Sequence, residues 1–72
     1  MFSAVLQNRG AMRRYSVAME PGAGWIVTLQ HDGELPRRVR YRDWHRVERT
    51  LALFRLEISE LKASGWHQIP SI

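Results

Sequence analysis

Cysteine is absent from this chain, and lysine nearly so: Lys62 is the single lysine among eleven basic residues. Without cysteine there is no disulfide and no thiolate metal site. That argues against a stapled secreted mini-protein and makes a reducing compartment, the cytoplasm, the expected location. Long apolar runs are missing too. No stretch approaches the ~20 residues that a bilayer span needs. The opening residues, MFSAVLQ, lack the basic and apolar regions of a secretory signal. The expectation is a soluble chain with no membrane partner. There is no internal repeat, low-complexity tract or linker, so the 72 residues read as a single small domain, 1–72. A chain of this size buries only ~60% of the surface exposed when unfolded. Its stability is therefore modest, and pairing with a second copy would add to it.

The elements of catalysis are also scarce. There is no cysteine nucleophile, no glycine-rich phosphate loop and no paired-histidine metal motif. His31 falls in a turn, His45 in the first turn of a helix and His67 near the end of the sequence, none beside a partner that fixes a catalytic geometry. So small a domain also has little room for a water-excluding pocket. The sequence gives no reason to expect an enzyme, a cofactor, a metal or a small-molecule substrate.

What is abundant is arginine. Residues 37 to 49 hold six arginines against Asp43 and Glu48, a surplus of four, while the remainder of the chain is balanced. Arginine codons are GC-rich, so a GC-rich bacterial genome accounts for part of the preference. The chemical reading is that guanidinium groups grip phosphate and carboxylate in a fork, as lysine does not.

The pattern around that segment sets its structure. In Arg13–Met19, Tyr15, Val17 and Met19 alternate with Arg14, Ser16 and Ala18, the period-two signature of a half-buried strand over about 13–19. Glu20-Pro21-Gly22-Ala23-Gly24 forms a loop. A second strand over about 24–31 is rich in aromatic and β-branched residues, with Trp25, Val27 and Leu29 on one face and Ile26, Thr28 and Gln30 on the other. Asp32-Gly33 signals a hairpin. A third strand over 37–42 puts Val39 and Tyr41 on the core side and Arg38, Arg40 and Arg42 on the other. Residues 2–7 are a candidate fourth strand, before the turn signal Asn8-Arg9-Gly10.

Asp43 fits a helix N-cap. Trp44, Val47, Leu51, Phe54, Ile58 and Leu61 then recur at alternating intervals of three and four, one stripe along a helix of about 44–64. Gly65 supplies a left-handed C-terminal residue, with Trp66 folding back on Leu61. The tail, 66–72, is expected to be irregular. The predicted fold is α+β and two-layered: a three- or four-stranded antiparallel meander packed on one long C-terminal helix. Its core is Tyr15, Val17, Met19, Trp25, Val27, Leu29, Val39, Tyr41, Trp44, Val47, Leu51, Phe54, Ile58 and Leu61.

Such a fold leaves one sheet face open. Arg14, Ser16, Ile26, Thr28, Gln30, Arg38, Arg40 and Arg42 would share it. Arginine reads guanine and glutamine reads adenine in the major groove, so DNA or RNA is the expected partner. The face has no aromatics for base stacking, which favours a duplex over a single strand. The bland alternative is a solvated face whose arginines discourage edge-to-edge aggregation. Arg42, His45, Arg46 and Arg49 also gather near the helix start, where Arg46 could reach Asp43 or join an anion site. On the back of the helix, Leu53 and Leu56 offer a surface for self-association or for a protein partner, unless Trp66, Ile69 and Ile72 cover it.

Three strands and a C-terminal helix resemble the plant transcription-factor and phage integrase arm-binding domains that set a sheet in the major groove. With residues 2–7 as a fourth strand, the order is similar to the repeat of purine-rich-element binding proteins, which pair and bind single strands. The hairpin, strand and helix also resemble antitoxins with a partial double-stranded-RNA-binding fold, although their Pro-Gly-Cys-like segment is absent here. These resemblances are of topology, and they imply nucleic-acid binding or a protein-interaction role.

Overall fold

The computed structural model describes residues 2–70. Five strands and one helix follow in the order β1 (Phe2–Asn8), β2 (Ala11–Glu20), β3 (Gly24–His31), β4 (Arg37–Tyr41), α1 (Trp44–Ala63) and β5 (His67–Ile69). The sheet order is β4-β3-β2-β1-β5, and every pairing is antiparallel. The first four strands form the expected meander. The strand count is five rather than three or four, because β1 forms and because the tail is not wholly irregular. After Gly65 the chain turns back and pairs His67–Ile69 with Gln7–Val5. Residues 71 and 72 lie outside the described residues.

Local chemistry explains each junction. Asn8 pairs with Ala11 across a two-residue turn whose central residues, Arg9 and Gly10, both have positive φ (49° and 85°). This is the twist that suits a tight hairpin. The Asp43 side chain accepts from the His45 amide at 3.0 Å and starts α1 as expected. At the other end the Trp66 amide donates to the Leu61 carbonyl and the Gly65 amide to that of Lys62, with Gly65 at φ 101°. These are the two bonds of a Schellman ending.

The helix covers the sheet face that carries Tyr15, Val17 and Val27. Those residues are buried with Ala4 and Leu6 of β1 and with Val47, Phe54 and Ile58 of the helix. The Tyr15 and Phe54 rings meet edge to face, 4.9 Å between centroids. Three residues assigned to the core from their periodicity, Met19, Val39 and Trp44, are exposed instead. Val39 lies on the outermost strand, Met19 next to the end of the central strand β2, and Trp44 at the first residue of α1, so all three sit at the periphery of the helix–sheet contact. Ala4 and Leu6 of β1 enter the core instead. Trp44 lies over Trp25, with ring centroids 5.2 Å apart, at the margin of the covered area.

Gly24 sits at φ 100°, and a Cβ there would collide with the Tyr41 carbonyl oxygen of the neighbouring strand. Gly24→Ala is expected to cost roughly 2–5 kcal/mol, combining backbone strain with a clash against main chain. Gly22→Ala, at φ 79° with open space around it, should cost only ~1–2 kcal/mol. Urea unfolding of the two variants measures the difference.

Candidate nucleic-acid interface

Strand register decides which side chains stand together. Thr28 is paired with Ser16 on one side and Arg38 on the other; Gln30 is paired with Arg14; Ile26 is paired with Arg40 and Ala18. Partners directly opposite in an antiparallel pair project from the same face. All belong to the parity opposite Tyr15, Val17 and Val27, so they stand on the side away from the helix. β1 and β5 extend this face: Ser3 lies beside Ser16, Val5 beside Arg14, and Ile69 beside Val5. Arg14, Arg38 and Arg40 are exposed, while Thr28 and Gln30 are half-buried between them.

The platform is therefore graded. Its β5–β1 side carries the apolar pair Val5 and Ile69, and its β4 margin carries arginine. Arg40 is partly neutralised. Its Nε lies 3.4 Å from Oε2 of Glu20, which reaches across from the end of β2. Arg38 takes part in none of the ion pairs among the described residues, which are Arg13–Glu57, His31–Glu34 and Arg40–Glu20. Arg42 lies just past the end of β4, in the bend that leads to the cap. Arg46 stands in the first turn of α1, in the helical layer, so the fold does not bring it onto the sheet platform. Its contact with Asp43 runs through the main chain, amide to carbonyl at 3.1 Å, and the expected side-chain ion pair is not among those formed. Leu53 and Leu56 are both exposed on α1. Trp66 packs against the core and Ile69 lies in the sheet, so neither covers them, and Ile72 falls outside the described residues.

The helix side holds a cluster that the sequence reading did not single out. Arg13 Nη1 donates to Glu57 Oε1 at 3.1 Å, and the same guanidinium lies 5.2 Å from the centroid of the Trp66 ring. It ties β2, the last turns of α1 and the residue after Gly65 together. Arg13 has the parity of Tyr15 and Val17, which was the available signal; its partner Glu57 could not be named without knowing where the helix crosses.

The Tyr15 hydroxyl is buried beside this pair without a hydrogen bond of good geometry. Burial raises its pKa above the ordinary 10.0, with Glu57 adding to the rise and Arg13 opposing it. The fold thus favours the neutral phenol, and the unfolded chain gives up the proton first. This contribution to stability is complete below about pH 10 and falls as pH rises through the higher folded pKa. Tyr15→Phe should be no less stable than wild type at pH 7, since it removes an unpaired buried hydroxyl. Above pH 10 it should lose stability less steeply. Urea titrations across pH 7 to 12 compare the two.

Among the described residues, no helix is long and apolar enough to cross a membrane, and no group of three or more histidine, aspartate or glutamate side chains is placed to hold a metal ion. Comparisons with protein-family models, with curated proteins and with solved structures give no match.

Proposed function

We propose that this protein is a small, non-catalytic nucleic-acid-binding domain of the cytoplasm that uses the open face of its sheet. One observation carries the reading: strand register gathers Arg14, Arg38 and Arg40 around Thr28 and Gln30 on a face that no other element among the described residues covers. Residues 37 to 49 hold the charge surplus of the chain, and two of their six arginines, Arg38 and Arg40, stand on this face.

Width refines the mode of binding. The whole sheet, ~19 Å across, exceeds a major groove of ~12 Å. A two-stranded ribbon fits. The β3–β4 ribbon at the arginine-rich margin would therefore approach the groove, with Thr28 and Gln30 toward the base edges. Arg14, farther into the sheet, would meet the phosphate backbone. No phenylalanine, tyrosine or tryptophan stands among the paired residues of this face, and its one imidazole, His67, is on β5, the edge farthest from the arginines, so base stacking contributes little. A duplex, DNA or RNA, is the favoured ligand.

Replacing Arg14, Arg38 and Arg40 together by alanine should leave the fold intact, since all three are exposed. Each phosphate contact contributes ~0.9 to the slope of log affinity against log salt for duplex DNA. The triple variant should lower that slope by roughly 2–3 and abolish binding at moderate salt. Fluorescence anisotropy with a labelled duplex at several salt concentrations is the measurement. A wild-type protein that does not bind at low salt would overturn the reading.

A second reading, self-association through the helix, is favoured by Leu53 and Leu56, exposed by 64% and 58%. It is compatible with the first, because many nucleic-acid binders are dimers. Sedimentation at rising concentration should show a dimer that Leu53→Glu dissociates. A concentration-independent monomer would remove this reading and leave the first untouched.

A further inference from the structure

The sheet has a free edge at β4. This strand ends the sheet order, so one side of its backbone has no partner among the described residues. Edge strands are templates for another extended chain. Residues Arg37 to Arg40 are all exposed, and beyond the half-buried Tyr41 the strand's inner face is open: Val39 is 46% exposed, and Leu35, just before the strand, is 89% exposed.

The two faces of this edge differ. On the outer face Arg38 and Arg40 alternate, and on the inner face Val39 lies between them in sequence. A second copy of β4 is a poor partner, because four of the six residues from 37 to 42, Arg37, Arg38, Arg40 and Arg42, would bring like charges together. An added strand of opposite charge is a good one. The Glu20 carboxylate already sits against Arg40 from the neighbouring strands, which shows that the geometry of this face accepts a carboxylate, while Arg38 has no such partner among the ion pairs of the described residues.

We infer that the β4 edge is a docking site for an extended acidic segment of a partner protein, added to the sheet as a sixth strand. Its carboxylates alternate with apolar residues. The carboxylates face Arg38 and Arg40 on the open side, and an apolar residue between them covers Val39 on the helix side. Main-chain hydrogen bonds supply much of the affinity, and the alternation supplies the specificity. The arginines serve this edge and the nucleic-acid face alike, so an acidic strand and a duplex compete. Only the strand needs Val39 and the free backbone.

The test uses the full chain, isotopically labelled, titrated with a short synthetic peptide alternating valine and glutamate and with its valine–lysine counterpart. The expected result is saturable amide shifts centred on β4, with slowed amide exchange there, for the glutamate peptide alone. Val39→Asn, an uncharged change at a half-exposed site, should weaken that peptide by roughly tenfold and leave duplex affinity within about twofold of wild type. Absence of saturation, equal binding of the lysine peptide, or shifts spread over β1 and β2 without slowed exchange in β4 would each overturn the inference. So would an equal loss of duplex and peptide affinity in Val39→Asn, which would make Val39 part of the nucleic-acid face.

Discussion

Tyr15, Val17 and Val27 lie pressed beneath Val47, Phe54 and Ile58, and the placement of the other sheet residues follows from that contact. A strand has a side-chain period of two, so fixing one residue under the helix fixes its neighbours on the opposite side. Cross-strand pairing carries the assignment from β2 to β3 and β4. Arg14, Thr28, Gln30, Arg38 and Arg40 therefore share an open face because apolar burial has claimed the other parity. A slip of one residue between β3 and β4 would turn Arg38 and Arg40 to the helix side of the sheet and Val39 to the open face, and so remove both arginines from the platform.

Much of this was legible in the residues themselves. The helix announces itself three times over, through Asp43, the Trp44-to-Leu61 stripe and Gly65, and it runs almost to the expected boundaries. The alternation in β2 and β3 gave their faces correctly, as the pairing of Thr28 with Arg38 and Ser16 bears out. What stayed hidden depends on distance rather than on period. Three residues, His67–Ile69, are too few to show a repeat, so β5 could not be read. Periodicity states which side of a strand or helix is apolar but not where the helix–sheet contact ends, and Met19, Val39 and Trp44 lie at its periphery, exposed. The Arg13–Glu57 pair joins residues far apart in sequence, and only the crossing of α1 over β2 brings them together.

The uncovered residues are unevenly distributed. Charge and exposed apolar surface meet at the β4 margin, while the β1–β5 side of the open face is neutral and partly apolar at Val5 and Ile69. A uniformly solvated face would not require such a gradient. Glu20 restrains it by holding Arg40, while Arg37, Arg38 and Arg42 beside it take part in none of the ion pairs among the described residues.

The meander pairs neighbours in sequence, whereas β5 pairs with β1, its partner residues lying at opposite ends of the described chain. Closing so long a loop costs entropy that only the preceding contacts can offset. The four hairpin-linked strands and the helix therefore assemble early, and β5 zips on last, held by three residue pairs and by the turn at Gly65. That order makes β5 the natural fraying point of the sheet, at the edge farthest from the arginines.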